Sequence, residues 1–362
     1  METMKMSTFF NELRTLVEIE SPTEDLGACR EALFATSEII ERHLTIAPEM
    51  LEENGRPILW WGTRAPRVLL LAHIDTVWPR GSYLPLWREE DGKIFGPGIF
   101  DMKAGILQAI YAIAEIDGAH ESVAIAITTD EEVGSQTTRE FIKERSATVQ
   151  AVLVLEASLD GKVKVGRKGT SMYQVSVLGR AAHAGLDPEK GVNATVEIAH
   201  IISQLAALEV PEFGTTVVPT TLRSGTTTNT VPAEAILDID SRSFLHSEMV
   251  RVESALKNMT PLHPEALITV TGGINRPPLQ VESTSELYEI FERVALELGV
   301  GPIGAASVGG ASDGNFAASA GARVLDGLGA VGDGAHAPHE HILVASVEGR
   351  IDLLSRFIKE LM

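Results

Sequence analysis

The sequence predicts an α/β protein: a mostly parallel sheet covered by helices, its chain interrupted by a small ferredoxin-like α+β sandwich. Three observations predict this. Short apolar runs at 68–72, 123–128 and 151–155 are flanked by turn residues, as in strands buried on both faces, and helix patterns separate them. Between about Lys168 and Pro277 the order of patterns changes to β-α-β-β-α-β, the order of a ferredoxin-like sandwich. After Arg276-Pro277-Pro278 the alternation of helix and strand resumes, and a length of 362 residues favours two domains.

Taken in order, residues 9–19 read as an amphipathic helix stopped before Ser21-Pro22, and 26–43 as a second helix. The run 68–72 is the first buried strand. Residues 102–116, rich in Ala, Ile and Leu, read as a buried helix. The strand 123–128, a short helix 137–144 and the strand 151–155 follow. In the insert, 171–178 alternates as a strand and 192–208 has helical spacing. Strands 215–221 and 235–242 flank Gly225 and Pro232; a helix 247–259 and a strand 267–271 close the unit. Beyond it come a helix 285–298, a Gly-rich turn, a strand 323–325 and a last helix 345–361. The expected division is a catalytic domain of residues 1–167 and 278–362, and an inserted lid or dimerisation domain of residues 168–277.

Hydrophobic residues make up 44% and charged residues 22%, an ordinary globular balance. Thirty Lys+Arg against fifty Asp+Glu leave a net charge of −20, which argues against nucleic acid and anionic membrane as partners. It suits cations, because carboxylates are natural ligands for hard metals. The single cysteine, Cys29, permits neither an intrachain disulfide nor a cysteine zinc site. No apolar run approaches the roughly 18 residues of a membrane span. The first residues, with Glu2, Lys5, Glu12 and Arg14, lack the apolar core of a signal peptide, so a cytoplasmic enzyme is expected.

Chemistry gathers where the buried strands stop. His73-Ile74-Asp75 follows the first, Asp130-Glu131-Glu132 the second and Glu156 the third, while Gly96-Pro97-Gly98-Ile99-Phe100-Asp101 opens a helix. In open α/β sheets, sites lie outside the carboxyl ends of strands. Taken singly, Asp101 could be a helix N-cap, Asp130-Glu131-Glu132 a solvated turn and Glu156 the partner of a surface arginine. Taken together, one imidazole among so many acids would repel itself without cations, and the mixed N and O donors suit zinc, manganese or cobalt better than calcium.

The stretches LLLAHIDTVWP, GPGIFDMKAGI, TTDEEVGS, VLEAS, GRAAHAG, GGASDGN and HAPHEHI resemble the glutamate carboxypeptidase, aminoacylase and succinyl-diaminopimelate desuccinylase family of two-metal amidohydrolases, with the glutamate carboxypeptidase branch nearest. The resemblance implies two zinc ions per chain, with cobalt or manganese as substitutes. It makes His73, Asp101, Glu132, Glu156 and His336 the ligands, with Asp101 bridging. The Asp101–Met102 peptide is expected to be cis. Asp75 would hydrogen-bond the other nitrogen of His73 and fix its tautomer. Glu131 would be the general base acting on a water shared by the metals. His336 is selected over His339 and His341 by the family's His-Ser-Pro-x-Glu pattern, which leaves those two as rim or helix-start residues. Ala104 and Ala157 depart from the pattern, where Gly and Pro are usual; neither removes a ligand.

For the substrate, the resemblance points to Asn229, Arg242 and Arg276 in the insert as carboxylate binders, a task that suits an arginine fork; the alternative is that the two arginines are surface residues or pair with the chain's own carboxylates. The Gly-rich turn at Gly310 and the helix after it could hold a carboxylate through backbone N–H groups. His183, in a loop of Ala and Gly, would stabilise an oxyanion, and in dimeric relatives it comes from the other subunit. The implied activity is that of an exopeptidase releasing a C-terminal, acidic residue from a short peptide. Two alternatives are an N-acyl-amino-acid deacylase and a catalytically silent binding protein. A homodimer through the insert is expected.

Overall fold

The computed structural model describes residues 2–362, with side chains from Lys5 onward. The chain divides into two compact units. The first runs to Gly166, resumes over Gln280–Val308 and again over Ser312–Met362; the second comprises Arg167–Leu279 and the short segment Gly309–Ala311. The insert thus takes in one residue more at its start and two at its end than expected. It also claims a three-residue segment far along the chain.

In the first unit, strand Val68–His73 lies between Val123–Thr128 and Ala151–Val154, with Val324–Leu325 beyond, and all three contacts are parallel. The two longer of these strands are buried at every position, because Val, Leu, Ile and Ala fill both faces without polar alternation. A hairpin of Glu49–Glu53 and Arg56–Gly62 adds two antiparallel strands at one edge, neither of them expected. Helix Ala104–Ala114 is apolar nearly all round and buried through Ile113, packed with the amphipathic helix Val347–Leu361 against the sheet.

That first helix begins at Ala104 rather than Met102. Residues Ile99–Lys103 form a wider turn in which Asp101 (φ −118°, ψ 89°) and Met102 (φ −137°, ψ 30°) leave helical geometry, and the Asp101–Met102 peptide is cis. The short helix after the second strand likewise starts later, at Arg139, and ends at Ser146. A second, antiparallel sheet joins Gly332–Asp333, His341–Leu343, Lys93–Phe95 and Arg88–Glu90.

The second unit is a four-stranded antiparallel sheet in the spatial order Thr216–Ser224, Glu234–Ser243, Gly169–Leu178, Leu267–Arg276. Helices Ala194–Leu205 and His246–Lys257 supply Ile198, Ile201, Leu205, Val252 and Leu256. These pack with Tyr173, Val175, Val177, Leu237 and Ile239 of the strands. Alternate burial along Glu234–Ser243 shows the period-2 pattern of a sheet with one covered face. The closing strand runs to Arg276, five residues beyond its expected end.

Candidate active site

Parallel register builds the site. His73 pairs with Thr128 at the end of the next strand, and Leu71 pairs with Val154, which puts Glu156 level with His73 on the other side. The chain after Thr128 turns through Glu131–Val133, so Glu131 and Glu132 arrive at the same edge. The wide turn at Ile99–Lys103 brings Asp101, and His336 sits in a turn with φ 63°.

Two groups of donors result. One holds His73, Glu131 and Glu156, and the other Asp101, Glu132 and His336; within each, the ligating atoms lie within 4.8 Å of one another. Asp101 reaches toward both histidines. Its Oδ1 is 3.4 Å from His73 Nε2 and its Oδ2 is 3.5 Å from His336 Nε2. His73 Nε2 also lies 3.6 Å from Glu156 Oε1, and His336 Nε2 lies 3.0 Å from Glu132 Oε2. His73 Nε2 and Asp101 Oδ1 are buried with no hydrogen-bond partner. Buried polar atoms are rarely left so, and a cation between them would satisfy both, so the residues fit a pair of divalent ions.

Electrostatics agree. Burial works to lower the His73 pKa, but Asp101, Asp75 and Glu156 around it hold it well above the usual imidazole value. Asp101 and Glu132 push His336 up to about 10. Burial alone would raise Asp101, yet His336 and His73 hold its carboxyl well below the usual range. Glu132 moves the other way: burial raises it, His336 offsets part of that, and Asp101 adds to it. Without a metal, protons on the two rings do the neutralising.

The bland alternatives for Asp101 and for the turn at Asp130 do not describe these side chains. Asp101 caps no helix; the following helix has Lys103 at its N-cap and no side-chain cap. Asp130 is 1% exposed and staples its own turn, accepting from Thr137 N (2.8 Å), Thr138 N (3.3 Å) and the Thr138 hydroxyl. Asp75 is fully buried. Its carboxylate accepts from the Thr23 hydroxyl at 2.7 Å and from Glu132 N at 3.3 Å, while the 3.0 Å contact to His73 Nδ1 comes from its main-chain oxygen. The Asp75 Oδ1 stands 3.4 Å from that nitrogen, so the tautomer is set by a carbonyl rather than by the carboxylate.

One further carboxylate went unassigned in the sequence. Glu340, 1% exposed, accepts from Gly98 N (3.1 Å), Phe100 N (3.0 Å), Asp101 N (3.1 Å) and Trp78 Nε1 (3.1 Å). The signal was its fixed spacing after His336. Its neighbour His341 is neither a rim nor a helix-start residue. It lies buried in a strand, with Nδ1 2.8 Å from the His339 carbonyl and its ring 5.1 Å from that of Phe95.

The remaining expected residues lie in the second unit. His183 is exposed, and its Nδ1 accepts from Gly185 N (3.1 Å) and Leu186 N (3.2 Å), so the neutral ring carries its proton on Nε2, facing away from its own loop. The Asn229 segment runs beside it: Ala184 N donates to Asn229 O at 2.9 Å, and His183 bridges Thr230. Arg242 holds Asp240 with Nε and Nη2 (2.9 and 3.2 Å) and donates to Gly309 O through Nη1 (3.3 Å). Arg276, far from being a surface residue, is 5% exposed and pairs in register with Thr170.

Gly310 departs from expectation. Its carbonyl accepts from Arg167 Nη1 at 3.1 Å. The helix after it, Asp313–Ser319, is closed by a capping box: Ser312 Oγ accepts from Gly314 N and Asn315 Oδ1 from Ser312 N. The capping side chains take the N–H groups of Ser312 and Gly314, two of those that a carboxylate could use.

Residues 69–360 match the model of peptidase family M20/M25/M40. Carboxypeptidase G2 from Pseudomonas sp. strain RS-16 is 29% identical over 313 residues, spanning 83% of this chain and 75% of that protein. Succinyl-diaminopimelate desuccinylase from Dechloromonas aromatica strain RCB is 27% identical over 384 residues, spanning 96% of this chain and 97% of that protein. The fold is shared with aminopeptidase PepT from Bacillus cereus (TM-score 0.75, 23% identity, 98% of each chain covered). It is shared as well with an M20 family metallo-carboxypeptidase, Sso-CP2, from Sulfolobus solfataricus (TM-score 0.72, 18% identity, 98% of this chain and 99% of that one). With the matched region running from the first buried strand through His336, this chain is a metal-dependent hydrolase and belongs to peptidase family M20/M25/M40.

Proposed function

We propose that the protein is a two-zinc exopeptidase of carboxypeptidase type that releases a C-terminal acidic residue from a short peptide. The observation that carries the catalytic part is the pair of donor groups at the strand ends with Asp101 directed at both. In this reading His73, Glu156 and Asp101 hold one ion, and Glu132, His336 and Asp101 the other. Bound there, the ions would acidify a water and polarise the scissile carbonyl. Glu131 takes the proton of the attacking water and returns it to the leaving amine. Asp75 keeps the His73 ring in place through its main-chain oxygen. His183 donates from Nε2 to the oxygen on which charge develops, and Asn229 beside it orients the substrate.

Arg242 and Arg276 are the carboxylate handles. The similarity to carboxypeptidase G2 supports a carboxypeptidase, and the acidic preference is read from the two arginines; Arg242 donates side-on to Asp240 here, a geometry that a substrate carboxylate could take over. Gly310 has no substrate role in this reading. Deacylation of an N-acyl amino acid is the second reading, supported by the desuccinylase relatives that align along nearly the whole chain. Assembly is as a homodimer through the second unit. Its edge strand Thr216–Ser224 exposes Val218 (45%) and Leu222 (49%), and helix Ala194–Leu205 exposes Val196 (51%). The deciding experiment is a comparison of kcat/KM for the zinc-loaded enzyme on peptides ending in Glu, Asp or Leu and on N-succinyl and N-acetyl amino acids. A preference for the acyl amino acids over every peptide would replace the first reading with the second.

A further inference from the structure

We propose that Glu340 is a positioning residue. It sets where Asp101 stands relative to His336, and so whether the two donor groups can be filled together. The inference rests on the reading that Asp101 and His336 hold metal.

The small antiparallel sheet makes the arrangement. His341 pairs with Phe95 and Ile342 with Ile94, which leaves Glu340 opposite Gly96, and Gly96 N donates to Glu340 O at 3.3 Å. From there the side chain points into the turn that leads to Asp101. Oε1 takes the N–H of Phe100 and of Asp101 itself, and Oε2 takes the N–H of Gly98 and the indole N–H of Trp78. Two donors on each oxygen saturate a carboxylate. Its main-chain oxygen also accepts from the Tyr83 hydroxyl at 3.2 Å.

Three segments that carry expected site residues meet on this one group: the stretch from His73 to Trp78, the turn from Gly98 to Asp101, and the loop from His336 to Glu340 itself. The turn is compressed as well as tethered. Gly98 has φ 68°, and a Cβ on it would come 2.4 Å from Thr76 Cγ2; a Cβ on Gly96 would come 2.5 Å from Val17 Cγ1. Packing at Gly96 and Gly98 fixes the near end of the turn, so the aim of Asp101 at its far end depends on the Glu340 tether. Only a carboxylate fits the donor pattern, since an amide would place an NH2 against N–H groups on one side.

The test is Glu340→Gln, checked for folding by far-UV circular dichroism and for ion binding by competition with a chromophoric chelator, using Zn²⁺ and Co²⁺. Supporting groups behind metal ligands contribute about 10–100-fold in affinity. We expect at least one of two ions to bind more than tenfold more weakly, and the visible absorption of bound Co²⁺ to change in position or intensity. A folded Glu340→Gln protein with both affinities and the Co²⁺ spectrum unchanged would overturn the proposal and leave Glu340 a structural staple. Should that variant not fold, Trp78→Phe removes one of the four donors and is read the same way, a shifted Co²⁺ spectrum supporting the role and an unchanged one refuting it. Asp101→Ala run alongside separates the two layers. If that variant still takes up two ions, the reading of Asp101 as a ligand fails. If it loses them while Glu340→Gln does not, only the positioning role fails.

Discussion

Loading the metal centre should expel protons, and the number follows from the geometry. In the metal-free chain His336 is pushed up to about 10 by Asp101 and Glu132, and His73 is held well above its ordinary value among three carboxylates. At pH 8 the His336 ring is therefore about 99% protonated, two units below its pKa. A metal takes the neutral imidazole, so filling the His336 position should release close to one proton per chain at pH 8, and the raised His73 adds to that number. Calorimetric titration of apo-protein with Zn²⁺ in two buffers of different ionisation enthalpy measures that number directly. Release below one proton per chain would mean that the rings are neutral without metal, and the account of charge balance given above would fail.

The same shifts fix a sign for stability. Both histidines have folded pKa values above the unfolded value of 6.5. Their charged pairs therefore stabilise the apo-protein fully below pH 6.5, and that contribution fades as the pH climbs to about 10 for His336. Chelator-treated protein should melt at progressively lower temperature from pH 7 to pH 10. Zinc-loaded protein, whose rings carry no proton there, should not share that trend. His73, 2% exposed, contributes more than His336, whose side chain is 51% exposed and screened by solvent.

Other outcomes are equally definite. Glu131→Gln should keep two ions by metal analysis while losing about 10²–10⁴-fold in kcat; loss of metal with little change in turnover per bound ion pair would exchange its role with that of Glu132. His183→Ala should lower kcat by about 10²–10³-fold with metal content intact. Mixing it with Glu131→Gln, under conditions where subunits exchange, should restore part of the activity if the histidine acts across a dimer. Leu70→Ala, in the centre of a strand buried at every position, should cost about 2–5 kcal/mol in urea unfolding. A cost under about 1 kcal/mol would show that the neighbouring helices collapse onto the gap.

The parallel core and the residues at its strand ends were legible because one physical rule covers both. A strand that is apolar on both faces must lie inside, and a polar residue where it stops must be held by something. His73, Glu131, Glu132 and Glu156 all declare themselves this way, whereas Asp101 lies in a turn that follows no such strand. The strands Arg88–Glu90 and Lys93–Phe95 do not declare themselves, since three residues are too few to show a period. His341 is illegible for the same reason: its strand is three residues long and begins directly after a turn. The start of the helix at Ala104 was misplaced because composition reports helix propensity, whereas the departure at Asp101 and Met102 is imposed by tertiary contacts. At Gly310 the turn itself was legible. What could not be read was that Arg167 would claim its carbonyl and Ser312 the N–H behind it. Glu340 shows the other side of the same limit: its spacing from His336 was visible, but its four donors come from residues about 240 to 262 positions away.

Apart from the short segment Gly309–Ala311, the second unit enters and leaves the chain at a single point. Arg167 N donates to Leu279 O at 2.9 Å and Leu279 N to Arg167 O at 3.1 Å, so its first and last residues are already bridged to each other. Everything assigned to holding ions and moving protons lies outside that bridge, and the side chains assigned to grasping a substrate lie within it. Such a chain can change diet without retooling. In this reading, substitutions between residues 168 and 278 that spare His183 alter what is grasped, while the ion-holding groups and the proton carrier are encoded elsewhere. For engineering, the two bridged residues mark a natural seam, at which the insert of a relative with another specificity can be exchanged as one continuous cassette.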